Sequence, residues 1–235
     1  QLGVGEYIIP AVGEENWGRV MALAGRHDDI RYGLGIHPWY VGKQPRDVLT
    51  RLETLLASRP RGLVAVGECG LDLRSHVPQE GQVEMFEAQV RLAMAHELPL
   101  IVHSVRANDT VAKILRRFTP PQGGVIHAFS GSLHQAEVFW QLGFRLGIGG
   151  VISYERANKT REAIRQMPLE ALLLETDAPD MPLQGQQGEV NTPASLPTIA
   201  RLLAQLRQQP LEDVISVLHD STRRLFPPGN HEINI

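Results

Sequence analysis

The chain has 235 residues, 43% hydrophobic and 21% charged, which supplies a large core and a charged share near the globular average. Its net charge of -3 creates no global basic field, so any contact with phosphate must be local. A single cysteine excludes an internal disulfide, no apolar run approaches the roughly 18 residues of a membrane span, and no signal peptide is visible; a cytoplasmic protein without membrane contact is expected.

Short apolar runs alternate with helical patterns along the chain. Val4 to Ala11 predicts a first strand and Glu14 to Ala24 a helix. Arg31 to His37 is a second strand, closed by Pro38. A helix over Asp47 to Ala57 precedes a third strand, Gly62 to Glu68. Gln79 to Glu97 spaces Val83, Phe86, Val90, Ala93 and Met94 as one helix face. Pro99 to His103, Gly124 to His127 and Phe144 to Gly150 are further strands. Helices over Asp109 to Phe118, Ser132 to Leu142 and Thr160 to Met167 follow them in turn. Ala171 to Asp177 reads A-L-L-L-E-T-D, a last strand, and Thr192 to Phe226 reads as two helices broken near Pro210.

Strands alternating with helices imply a parallel sheet, and strands apolar throughout imply burial on both faces. No G-x-G-x-x-G stands at the first turn, so a dinucleotide-binding sheet is unsupported. No linker or low-complexity segment divides the chain, and residues 1–235 are expected to form one domain. The pattern fits a TIM-type (β/α)8 barrel with about seven units, one fewer than the fold's eight.

The strands end in chemistry. His37, Glu68, His103, His127 and Asp177 each close an apolar run. In parallel barrels the strand ends converge on the active-site rim, and imidazoles with carboxylates form a ligand set for a divalent ion. A lone histidine there is commonly structural, and a lone carboxylate commonly a cap. Five ionisable ends on apolar strands in one chain are harder to explain that way. Alternation along a strand puts Glu175 and Asp177 on one face, one step apart. His27, His76, His96, His134, His219 and His231 fall on helices or loops and read as surface, while Cys69 points away from the rim and reads as packed.

The stretches G-L-G-I-H-P (33–38), V-G-E-C-G-L-D (66–72), P-L-I-V-H-S (99–104), V-I-H-A-F-S-G (125–131) and L-L-L-E-T-D-A-P (172–179) resemble the TatD family of metal-dependent hydrolases. They run in family order along nearly the whole chain. The resemblance implies an amidohydrolase-like barrel that hydrolyses phosphodiester bonds in DNA, often as a 3'-5' exonuclease, through metal-activated water. It implies Glu68 as a carboxylate bridging two metals, His103 and His127 as ligands of the second, and Asp177 as a ligand of the first and the catalytic base. His37 resembles a wall residue near the substrate, and Glu175 is read as an acceptor behind the ligands that orients one of them, a histidine of the family's opening strand being the candidate. One or two divalent ions are expected, with Zn, Mn and Mg all compatible.

Two departures stand out. The family's opening strand carries Asp-x-His-x-His, and no H-x-H occurs in these residues. The chain begins Q-L-G-V-G-E-Y without methionine, and the expectation is a parent protein with about 25 to 30 further residues upstream, one strand plus a connection. Val105 stands where the family has an arginine, and Arg106 is the candidate substitute for contacting phosphate. The expected substrate is DNA or another phosphoester, handled by a monomer without an obligate protein partner. The alternatives are an amidohydrolase-type deacylase or esterase acting on a small molecule or aminoacyl-tRNA, and a metal-depleted binding scaffold.

Overall fold

A computed structural model describes residues 3–227; His231 lies outside that range. Seven strands form one parallel sheet in sequence order: β1 (Tyr7–Pro10), β2 (Ile30–Leu34), β3 (Leu63–Asp72), β4 (Leu100–Val105), β5 (Gly124–His127), β6 (Phe144–Ile148) and β7 (Leu172–Leu174). Six helices alternate with them: α1 (Glu14–Ala24), α2 (Val48–Ser58), α3 (Gln79–Ala95), α4 (Asn108–Phe118), α5 (Leu133–Gln141) and α6 (Asn158–Gln166). Two more, α7 (Leu196–Arg207) and α8 (Leu211–Leu225), complete the chain, with Pro210 at the N-cap of α8 where the break was predicted. The sheet curls as in a TIM-type barrel. Among the described residues β1 and β7 do not pair with each other, so the sheet is curled but open. No described helix is long and apolar enough to cross a membrane.

The helices seal the outside of the sheet with apolar stripes. In α4, Val111, Ala112, Ile114 and Leu115 are buried at helical spacing, while Asp109, Lys113, Arg116 and Arg117 are exposed. Ser132 starts α5 by a reciprocal cap: its hydroxyl accepts from Gln135 N at 3.2 Å, and Gln135 Oε1 accepts from Ser132 N at 3.1 Å. Inside the curl a smaller cluster gathers Val64, Ala65, Ile101, Val125 and Leu173, closed by Leu225 and Phe226. This cluster is the floor of the site. Strand alternation places His103 one step beyond Ile101, and His127 one step beyond Val125, on the same lumenal face. The β4–β5 register pairs His103 with His127 directly.

Several strand ends differ from expectation: β2 stops at Leu34, so His37 lies beyond it, β4 runs past His103 to Val105, and β3 and β7 differ in ways that shape the site. β3 continues past Glu68 to Asp72, because Gly67 and Gly70 adopt φ of +144° and +134° and let the strand shift register and keep pairing with β4. At Gly70 a Cβ would lie 2.1 Å from the His103 carbonyl oxygen, so only glycine fits. β7 stops at Leu174. Glu175 N still donates to Ile148 O at 3.0 Å, but Asp177 turns to a φ of +60°. The two carboxylates are therefore not consecutive same-face strand residues, although both reach the lumen.

Candidate metal centre

One group forms around Glu68. This side chain is buried, and its backbone N–H is fixed by the Ala11 carbonyl at 2.9 Å. Its Oε1 lies 2.8 Å from His103 Nδ1 and 3.5 Å from His37 Nε2. His103 Nε2 in turn lies 3.2 Å from Asp72 Oδ2. Burial alone pushes the Glu68 carboxyl up, but the charges of His127 and His103 and the hydrogen bond from His103 outweigh it and hold the pKa at about 2. Glu68 is thus an anion throughout the neutral range.

His37, Glu68 and His103 each bring a possible ligand atom within 4.8 Å of the others. The tautomer of His37 separates it from the other two. It caps the turn at Pro38–Lys43, and its Nδ1 accepts from Trp39 N at 3.1 Å. Burial lowers its pKa to about 4, opposed by Glu68 and reinforced by His103, so the ring is neutral. A neutral ring whose Nδ1 accepts carries its proton on Nε2. His37 therefore offers an N–H to the cavity rather than a lone pair, which suits substrate contact better than metal ligation.

A second group forms around His127. Its Nδ1 lies 2.9 Å from Glu175 Oε2 and its Nε2 2.8 Å from Asp177 Oδ1. The other Glu175 oxygen accepts from Ala128 N at 2.7 Å, so both oxygens are occupied and the carboxylate is immobilised. Gly147 makes room for it: a Cβ there would sit 2.1 Å from Glu175 Oε2. Burial would lower the His127 pKa, but the charges of Glu175 and Glu68 and its bonds to Asp177 and Glu175 raise it well above the ordinary value. Among the described residues no hydrogen bond joins the two groups, yet both line one cavity of about 1770 Å³.

The sequence reading missed Asp72. It is fully buried, accepts from the Trp39 indole N–H at 2.8 Å and from Arg74 N at 2.8 Å, and meets His103. Its place in G-L-D after Gly70 resembles a turn, and only the continued pairing of β3 brings it to the site. Arg106 lines the cavity mouth, as does Val105, and makes no ion pair among the described residues.

This donor set fits a divalent cation. Four carboxylates, Glu68, Asp72, Glu175 and Asp177, surround His103 and His127, and among the described residues the one arginine in ion-pair reach of any of them is Arg74, 3.5 Å from Asp72. The excess negative charge calls for a cation. Glu175 already orients the His127 ring, as a carboxylate behind a ligating imidazole does. The raised pKa favours the charged ring in the metal-free protein, so a cation at its Nε2 competes with a proton for the same lone pair. Metal titration is expected to release protons, and apparent affinity to rise with pH. Calorimetry in buffers of different ionisation enthalpy reads this directly; zero release would remove His127 from the ligand set.

A sequence model of the family described as TatD related DNase matches residues 1–227. The chain belongs to the TatD family. A relative described as uncharacterized metal-dependent hydrolase YjjV, from Escherichia coli K12, is 46% identical over 227 residues, spanning 96% of this chain and 88% of its own. The crystal structure of that TatD homologue superposes with a TM-score of 0.94 at 45% identity, over 96% of this chain and 88% of the other. A relative named 3'-5' ssDNA/RNA exonuclease TatD, from a Rahnella strain, is 32% identical over 87% of this chain and 80% of its own. The TatD chain described here is accordingly a metal-dependent hydrolase, and its donor set lies on the lumenal rim of a TatD-type fold.

Proposed function

We propose that this chain hydrolyses phosphodiester bonds in single-stranded DNA, from the 3' end, with Glu68, His103, His127 and Asp177 holding one or two divalent ions of Zn, Mn or Mg. The observation that carries the reading is the charge layout of one cavity: carboxylates and imidazoles inside it, and Arg74, Arg106, Arg156 and Lys159 in its lining. That pairing fits a phosphate anchored by cations at the mouth and attacked at the centre. The name of the Rahnella relative supports the same chemistry.

A divalent ion held by Glu68, His103, His127 and Asp177 would supply Lewis acidity and would lower the pKa of a water toward neutrality. Asp177 accepts the proton of the attacking water. His37 donates its Nε2–H to a phosphate or leaving-group oxygen. Arg106 offsets negative charge developing on the phosphoryl oxygens. Glu175 keeps the His127 ring aimed. With a net charge of -3, the protein suits short or single-stranded ends rather than long duplex tracking.

A 5'-labelled single-stranded oligonucleotide, incubated with the protein and Mn, Mg or Zn, is expected to shorten from its 3' end, and EDTA to stop the reaction. A metal-loaded protein that leaves the oligonucleotide intact while turning over carboxylic esters or amides would replace the nuclease reading with the deacylase one.

A further inference from the structure

Trp39 is an exposed aromatic residue that the fold holds rigid. It is 47% exposed and lines the cavity. Its indole N–H donates to Asp72 Oδ2 at 2.8 Å, and its backbone N–H donates to His37 Nδ1 at 3.1 Å. The His37 ring stands edge-on to it at 5.9 Å between centroids, and the His103 ring is 4.3 Å beyond His37. The indole therefore sits two rings from a metal-ligand candidate, and its polar atom is already satisfied. What it offers the cavity is a π-face. An apolar surface immobilised in the open gains nothing for the folded chain, but it costs a ligand no ordering entropy. The exposed Arg74 guanidinium lies 3.5 Å from the same Asp72, and Arg106 shares the cavity lining. Tyr40, the neighbouring aromatic, has Lys43 over its ring.

Resting on the nuclease reading above, we propose that Trp39 is the platform on which one unpaired base of the substrate stacks, next to the phosphate being cleaved. Cations for the backbone and an aromatic face for the base form the combination by which single strands are held without sequence readout. The face cannot reach a base inside a duplex, so the platform also selects for frayed or single-stranded ends.

The test uses single-stranded oligonucleotides, intact or with one abasic nucleotide at the terminal, penultimate or third position from the 3' end. For the unmodified protein, one abasic position is expected to lower kcat/KM about tenfold or more. Trp39→Ala should lower kcat/KM on the intact strand and erase the penalty at that position alone. Trp39→Phe keeps a ring but loses the bond to Asp72, and should keep most of the penalty. Equal losses by Trp39→Ala on every substrate, or Trp39→Phe behaving like Trp39→Ala, would make the residue an anchor for Asp72 and overturn the platform. Dissociation constants of the same series, read by fluorescence anisotropy in EDTA, separate the two claims. If no strand is cleaved but the abasic penalty and its loss in Trp39→Ala persist in binding, the nuclease reading fails and the platform stands. Equal affinities across the series refute the platform whether or not DNA is cleaved.

Discussion

Glu68→Gln is expected to lower kcat/KM by about a thousandfold or more and to deplete the purified protein of divalent metal, while its circular dichroism stays that of the parent. Glutamine keeps the volume of a buried side chain, so no cavity opens. Its amide oxygen still accepts from His103 Nδ1–H, and its backbone N–H still reaches Ala11 O. What disappears is one full negative charge, held ionised to about pH 2, at the position facing His103 and His37. In a low-dielectric site that charge stabilises a cation far more than it would in water. Acid should therefore release metal by protonating imidazole, with Glu68 still ionised. Metal content by mass spectrometry and steady-state kinetics are sufficient checks. A variant with full metal content and a rate within tenfold of the parent would show that Glu68 is structural.

The polar strand ends could be read because the chemistry contradicts its surroundings. His103 and His127 end runs of Ile and Val, and nothing in an apolar strand asks for an imidazole there. Alternation then fixes which face they share, and the floor of Ile101, Val125 and Leu173 confirms that face as the lumen. The partnerships were not legible. The register sets His103 beside His127, but their hydrogen-bond partners differ: Glu68 and Asp72 for His103, Glu175 and Asp177 for His127. Strand register and the turn after β7 decide those distances, and neither has a local signature. Asp72 was hidden by glycines that signal a turn but here allow a strand to continue. His37 showed its position but not its tautomer, which depends on a backbone N–H two residues on.

Asp177→Asn is expected to reduce kcat by about 10² to 10⁴ at saturating metal, the range for loss of a positioned general base. The substitution is informative because the backbone tolerates it. Asp177 sits at a φ of +60°, a region most side chains avoid and asparagine enters readily. Its side chain is 32% exposed, so no packing is lost. Asparagine keeps an oxygen for His127 Nε2 but cannot take up a proton. The metal contributes charge either way, so the variant separates holding the ion from accepting the proton of the attacking water. Metal content measured beside the rate distinguishes them: a variant fully loaded with metal and still slow has lost the base and not the ion. If the variant binds metal as the parent does and runs at a near-parent rate, the base is another group, and Asp72, which reaches His103 from the opposite side, becomes the first alternative.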